Sequence, residues 1–503
     1  MEKIYLVLDC GATSVRAVAV GERGKILAQA SRPNQPYPQE GCENCLIWDE
    51  KAIWKDFCDV TKKVLSDIDG IPAAVTVTAF GADGVPVRSD GTLTYPVISW
   101  QCTRTVPWLN RLASTIDPRE VFRITGYQFI PFNTLFKLLW LRENAPHSLD
   151  EADTYLMMPG LFAYRLCGEM SIDLPSASTT MMLDAGRRRW SERLLSLAGL
   201  TADFFPPLVE AGDIIGTVSE EAHHQTSLPV GIPVTAAGHD TQFAIMGSLS
   251  TEGEIVLSSG TWEIAALRVP EYRDTNRAFE LGMLTELDAE NGLWNPQMLM
   301  ISGGVVEWVR RNFFADIKDN PNIYRFMIER GERVAPGSNN VVLVPSFMPS
   351  GPNKPLGTRG TIVGLGLTTE RGQIYRAALE GLSYQLKQAV TVFQEVFHYQ
   401  PSGVRVVGGG AKNSLWNQIR ADVLDLPVLT SSVEEATVLG AALFAMVGSG
   451  ACRNLGEARE MVELTTHMYQ PSPLTERYGE LFEEYEKIPH YLAHHYKKEG
   501  PFV

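Results

Sequence analysis

Short β-favouring runs alternate with clusters of turn residues at the start of the chain and again in its middle. The first runs are Ile4 to Leu8, Val15 to Val20 and Ile26 to Ala30, set apart by Asp9 to Ser14 and by Gly21 to Lys25. Apolar runs of roughly four to eight residues between such clusters predict strands, here a three-strand antiparallel opening. The pattern restarts near residue 254. Glu254 to Leu257 is followed by Ser258, Ser259, Gly260 and Thr261, which predict a turn, and then by Ile264 to Val269. A repeat of this kind predicts an α/β chain of two related domains, each a sheet with helices on both faces, meeting at a cleft between their first hairpins. Between them, Ile232 to Ala237 reads as a buried strand ending at Gly238, His239 and Asp240, with Thr241 to Gly247 as the crossover. Asp240 therefore falls near the boundary, drawn here as 1–246 and 247–503. Farther on, Val404 to Val407 predicts a strand and Gly408 to Gly410 a tight turn. Asn413 to Leu424 predicts an amphipathic helix with Leu415, Ile419 and Val423 on one face. After Pro471, Ser472 and Pro473, the segment Leu474 to Lys498 reads as a charged surface helix.

Length and composition narrow the classes. A chain of 503 residues with 45% hydrophobic and 20% charged residues has ample material for folded domains and is not disordered. A net charge of −15 repels polyphosphate backbones, which excludes general nucleic-acid binding. Asp9 cuts the first apolar run, too short for the core of a signal peptide. The longest apolar stretch, Ala436 to Val447, is interrupted by Thr437 and Gly440 and falls short of the roughly 18 residues a membrane span needs. Seven scattered cysteines argue for reduced thiols and a cytoplasmic location. Cys42 and Cys45 have the spacing of half a zinc site, but no second pair or histidine cluster follows, and no structural metal is expected there.

Candidate chemistry sits at the turns. Asp9-Cys-Gly-Ala-Thr-Ser-Val-Arg16 gathers a carboxylate, two hydroxyls and a guanidinium at a hairpin, where backbone N–H groups and hydroxyls can wrap phosphate oxygens and the acid can hold hydrated Mg²⁺. Ser258 to Trp262 is a second candidate phosphate turn. Gly408 to Asn413 leaves backbone open for an adenosine to lie against a strand end and helix start. Each alone also suits an ordinary polar turn, and Asp240 alone suits a helix cap. Neither a G-x-x-x-x-G-K-[ST] loop nor a G-x-G-x-x-G helix opening is present. Together the turns meet the needs of phosphoryl transfer: two phosphate grips, an adenosine seat, a metal-facing acid and a carboxylate for the acceptor.

The set resembles the FGGY family of carbohydrate kinases nearly end to end. The resemblance is carried by VLDCGATSVRAVAV at 7–20, TAFGADG at 78–84, YPVISWQCTRT at 95–105, FNTLFKLLWLREN at 132–144, VGIPVTAAGHDTQFA at 230–244, LSSGTWEI at 257–264 and VVGGGAKNSLWNQIRAD at 406–422. It implies two actin- or hexokinase-like (ribonuclease H-like) domains, the first mainly for sugar and the second mainly for ATP; the need to keep water from the phosphoryl group predicts closure on sugar binding. It implies ATP-dependent phosphorylation with Mg²⁺, and Asp240 as the general base that also contacts sugar. Asp9 would orient the metal. Thr13, Ser14, Arg16, Gly260 and Thr261 would line the phosphates, while Gly303, Gly409, Gly410 and Asn413 would approach the nucleotide. Gly81, Asp83, Phe132 and Asn133 match sugar-facing positions. His239 is taken as mainly structural, with a hydrogen bond to sugar left open. The run Phe80-Gly-Ala-Asp83-Gly84 and the Ala12-Thr13 pair look like those of deoxysugar kinases and depart from the xylulose pattern. The implied acceptor is the C1 hydroxyl of L-fuculose, with L-rhamnulose or another ketose as the alternative and a non-catalytic sugar sensor as a third reading. Partners are then a small sugar and ATP, without nucleic acid or membrane, and a homo-oligomer stays open.

Overall fold

The computed structural model describes residues 3–433 and 435–496. In the first half, β1 (Ile4–Cys10), β2 (Ser14–Gly21), β3 (Ile26–Pro33), β4 (Pro72–Ala79), β5 (Ile214–Thr217) and β6 (Pro233–His239) form one sheet in the order β5-β6-β4-β1-β2-β3. β1, β2 and β3 pair antiparallel, β4 and β6 lie parallel to β1, and β5 closes the edge antiparallel to β6. Every residue of β1 is buried because both faces are covered, which is why the run carries no polar alternation. Helices α1 (Glu50–Ser66) and α2 (Met158–Cys167) cover the face that carries Ile4, Leu6 and Leu8, with Phe57 edge-on to Phe162. Helix α3 (Asp240–Gly247) follows β6 without a break.

The second half repeats the plan. Strands β7 (Glu254–Ser259), β8 (Trp262–Ala266), β9 (Leu284–Leu287), β10 (Trp294–Ile301), β11 (Gly403–Val407), β12 (Val428–Ser431) and β13 (Thr466–Tyr469) run in the order β9-β10-β8-β7-β11-β12-β13. Apart from the extra edge strand β9, each strand has a counterpart of the same direction in the first sheet. Its longer helices are α4 (Gly303–Phe313), α5 (Ile323–Glu332), α6 (Arg371–Phe397), α7 (Ser414–Leu424), α8 (Ala436–Gly448) and α9 (Thr475–Tyr496).

One helix crosses between the halves. α8 packs on the first sheet, where Val438, Ala441 and Ala442 meet Tyr5, Val7 and Val18. It also crosses α3 so closely that a Cβ on Gly440 would stand 1.9 Å from the carbonyl oxygen of Phe243. Only glycine admits that approach.

Several details differ from the sequence expectations. Ser258 and Ser259 extend β7, leaving Gly260 and Thr261 as the turn, because Ser259 pairs with Glu263 across the hairpin. Helix α7 is enclosed beyond its apolar face, since Asn417, Arg420 and Asp422 find buried partners or neighbours. The closing helix is less a surface element than its charge implies: Tyr478, Phe482, Tyr485 and Ala493 are buried, and Lys498 lies outside the described residues. Cys42 and Cys45 are joined as a disulfide, correcting the expectation of reduced thiols throughout. A tight loop brings their Cα atoms to 5.4 Å, within bridging range. No helix among the described residues is long and apolar enough to cross a membrane.

Candidate active site

The carboxyl ends of parallel strands converge on one side of each sheet, where α/β folds bind ligands. In the first sheet Asp9 is level with Thr78 of β4, and Thr78 with Gly238 of β6. Asp9 thus sits two strand spacings, roughly 10 Å, from the row that ends in Asp240. The two acids sense each other. Burial pushes Asp9 up to about 6, the adjacent Arg16 guanidinium opposes the rise, and the charge of Asp240 adds to it. Arg16, opposite Asp9 on β2, donates from Nε to Asp9 Oδ2 at 3.0 Å and from Nη1 to Glu435 Oε2 at 2.7 Å. Among the described residues no hydrogen bond reaches Asp9 Oδ1. Ser14 is half-buried and Thr13 exposed in the hairpin turn, which is pinned by Gly11 N–H donating to the Ser14 carbonyl at 2.9 Å.

Asp240 opens α3, and its donors crowd onto one oxygen. Thr241 N–H reaches Oδ1 at 2.7 Å and His239 Nε2 lies 3.4 Å from the same atom. Oδ2 makes no hydrogen bond among the described residues, and the side chain is 32% exposed, which leaves this oxygen for an incoming group. Burial raises the Asp240 carboxyl and the neighbouring His239 pulls it down.

In the second half, Gly260 and Thr261 of the β7–β8 turn, Gly303 at the start of α4, and Gly409, Gly410 and Asn413 after β11 all line one cavity of about 660 Å³. Its wall adds five residues that sequence reasoning missed, Val306 and Glu307 of α4, Tyr324 and Ile328 of α5, and Trp416 of α7. Under the floor Arg420 is ion-paired to Glu263, donates to Ser259 Oγ at 3.0 Å, and lies 3.7 Å from the Trp416 ring centre. This buried set ties α7 to the β7–β8 hairpin. A Cβ on Gly303 would stand 2.3 Å from the Gly260 carbonyl, so the α4 start and the β7–β8 turn are in direct contact. The Asn413 side chain is already engaged, accepting from Trp416 N–H at 3.1 Å and donating to Tyr375 Oη at 2.8 Å. It shapes the cavity by capping α7 more than by offering its amide.

The sugar-side candidates divide. Asp83 is fully buried and both its oxygens are taken, by Lys137 on one side and by Trp48 Nε1 at 2.6 Å and Trp100 N–H at 3.0 Å on the other. The expectation that Asp83 touches sugar is corrected accordingly: a carboxylate this enclosed is held by the lysine charge and acts by placing the two tryptophans. Asn133 is buried too, with Nδ2 donating to the Thr179 carbonyl at 2.6 Å. Among the described residues its Oδ1 and the Trp100 Nε1–H have no partner, one acceptor and one donor in the same region, as a polyol hydroxyl could satisfy. Phe132 is half-buried and meets Trp100 edge-on at 6.0 Å. Gly81 backs onto His239, whose ring would lie 2.9 Å from a Cβ there.

His239 proves more than a packing residue. Its Nδ1 lies 3.2 Å from Glu286 Oε2 on β9, a contact between the two halves. Between Glu286 and Asp240, with Asp173 nearby, the imidazole is raised to about 9 despite burial. Nothing local in the sequence marks Glu286, which lies 47 residues away.

Residues 4–247 match the N-terminal domain of the FGGY family of carbohydrate kinases and residues 255–449 its C-terminal domain. An L-fuculokinase of Escherichia coli (strain K12) is 39% identical over 471 residues, 93% of this chain and 98% of its own length. Among solved structures, xylulose kinase from Rhodospirillum rubrum superposes with a TM-score of 0.86 at 22% identity, covering 97% of this chain and 98% of its own. Plasmodium falciparum glycerol kinase with ADP gives 0.87 at 20% identity, covering 98% of each chain. This chain belongs to the FGGY family of carbohydrate kinases and is an ATP-dependent phosphotransferase acting on a sugar hydroxyl.

Proposed function

We propose that the chain transfers the γ-phosphoryl group of ATP to the C1 hydroxyl of L-fuculose, giving L-fuculose 1-phosphate and ADP, with Asp240 as general base. The observation that carries this reading is the Asp240 carboxylate, whose Oδ1 is held by Thr241 and His239 while Oδ2 stays unbonded at the strand end. The acceptor oxygen forms a bond to the γ-phosphorus, the bond to the β–γ bridging oxygen breaks, and the hydroxyl proton passes to Oδ2. In a loose transition state the alcohol loses its proton late, so placement of Oδ2 matters more than its basicity. The nucleotide would occupy the cavity beside Trp416 and Tyr324, with Gly303, Gly409 and Gly410 admitting close backbone approach. Thr13, Ser14, Arg16, Gly260 and Thr261 would grip the phosphates from the two hairpin turns.

A single carboxylate with a free oxygen is a donor set that suits Mg²⁺ when nucleotide phosphates and water fill its remaining positions. Asp9 Oδ1 would hold the hydrated ion, which when bound neutralises charge on the β- and γ-phosphates. The choice of L-fuculose rests on the relative that is 39% identical over nearly the whole chain and bears the name L-fuculokinase. Coupled ADP release measured across L-fuculose, L-rhamnulose, D-ribulose and D-xylulose, with NMR mapping of the phosphorylated carbon, tests it. L-fuculose should give the highest kcat/KM with phosphate on C1. A higher kcat/KM for another ketose, or phosphate on another carbon, overturns the assignment.

A further inference from the structure

Glu286 comes from β9, the extra edge strand of the second sheet, yet its carboxylate reaches the base of the first half. It is 4% exposed and collects four donors. Tyr127 Oη donates to Oε1, while Gln242 Nε2 at 2.6 Å, Gln297 Nε2 at 3.2 Å and His239 Nδ1 at 3.2 Å converge on Oε2. A buried carboxylate surrounded only by donors is held ionised. The other ring nitrogen of His239 faces Asp240 Oδ1 at 3.4 Å. The ring is boxed in as well: Gly81 lies against it, and Asp173 stands beside Gly238 while its Oδ1 accepts from Ser176 N–H at 2.7 Å. The charged and titratable groups around the imidazole are therefore Asp173, Asp240 and Glu286, with Tyr127 behind Glu286.

We propose that Glu286 is a positioning residue for phosphoryl transfer: it holds the His239 imidazole as a cation against Asp240 Oδ1 and so aims the unbonded Oδ2 at the acceptor hydroxyl. This rests on Asp240 being the base. The imidazolium keeps its proton throughout; the hydroxyl proton goes to Asp240 alone. Its charge keeps Asp240 ionised in a partly buried site where desolvation by itself raises that carboxyl. Because Glu286 and Gln297 belong to the second half and His239, Asp240, Tyr127 and Gln242 to the first, the aim of the base depends on how the two halves sit together. Closure that tightens this strut sharpens the aim at the moment sugar and nucleotide are both bound.

The test is E286Q, which keeps side-chain size and removes the charge. With Glu286 present, His239 stays protonated to about pH 9. In E286Q the ring is left in a buried site without its closest counter-charge, so its titration falls by one or more units. The alkaline limb of the kcat–pH profile should move down with it, costing about threefold or more in kcat near pH 8.5 and little near pH 6.5, with the KM for ATP unchanged. E286D, which restores the charge, should return the limb part of the way. Histidine-ring NMR on the intact enzyme, assigned with H239N, gives a second readout: the His239 ring should be cationic at pH 8 in the native enzyme. An unchanged limb in E286Q, a loss of kcat that is uniform with pH, or a neutral His239 ring at pH 8 in the native protein overturns the inference. Should E286Q fail to fold, the ring titration in the native enzyme still decides. D240N, assayed beside it, separates the two claims. Full activity in D240N removes the base assignment, whereas an inactive D240N with an unshifted E286Q profile removes only the role of Glu286.

Discussion

Lys137→Met isolates what Asp83 does. The two side chains are 1% and 0% exposed and form an ion pair, and Asp83 also holds Trp48 Nε1 at 2.6 Å and the Trp100 N–H at 3.0 Å. Removing the lysine charge leaves a carboxylate with no counter-ion in a fully buried site, a change that costs about 3–5 kcal/mol in comparable buried pairs. For a unit of 150–250 residues this corresponds to a fall in Tm of roughly 6–20 °C. Replacing both residues, as D83N with K137M, removes the uncompensated charge and should recover more than half of the loss, because the cost lies in the isolated ion and not in the missing attraction. Thermal unfolding followed by tryptophan fluorescence reads this directly, since Trp48 and Trp100 flank the carboxylate. The same single variant should raise the KM for sugar severalfold and leave that for ATP unchanged, because the tryptophans shape the sugar side. A K137M protein within about 1 kcal/mol of native stability, or a double variant no more stable than the single, would refute the reasoning.

Two further outcomes follow from the site. Gly303→Ala places a methyl group 2.3 Å from the Gly260 carbonyl, so the α4 start must move away from the β7–β8 turn. ATP affinity, read by calorimetry, should fall about tenfold or more with sugar binding preserved; equal affinity would separate this contact from the nucleotide site. The second concerns pH and stability. His239 has its folded-state pKa raised to about 9 from an ordinary 6.5. Its contribution, about 3 kcal/mol, is therefore fully present below pH 6.5 and is lost as pH rises through 9. H239N should flatten the decline in Tm across that window, and an unaltered decline contradicts the assignment.

Much of the architecture was legible because strands buried on both faces leave continuous apolar runs, as Ile4 to Leu8 does, and because glycine and hydroxyl clusters mark the turns between them. The cavity residues Gly260, Thr261, Gly409 and Gly410 fall in turn clusters that the sequence marks, whereas Gly303 came only from the family resemblance. What escaped depends on partners far away in the chain. The apolar run from Ala436 to Val447 carries no sign that it packs on the first sheet, since alanine and valine surfaces fit either half. Asp83 reads as a ligand until Lys137, 54 residues on, is seen to neutralise it. Glu286 is one acid among many until the fold carries β9 to His239. The bond between Cys42 and Cys45 was likewise hidden, since composition describes a compartment and a loop decides which sulfurs meet.

Single-turnover transfer from radiolabelled ATP, in native enzyme and in D240N, probes the role of Asp240 most directly. With L-fuculose saturating, the rate of the chemical step should fall by about 10²–10⁴ in D240N while the Kd for ATP stays within twofold or so of native. A D240N enzyme that phosphorylates sugar at the native single-turnover rate would contradict the assignment of Asp240 as the base.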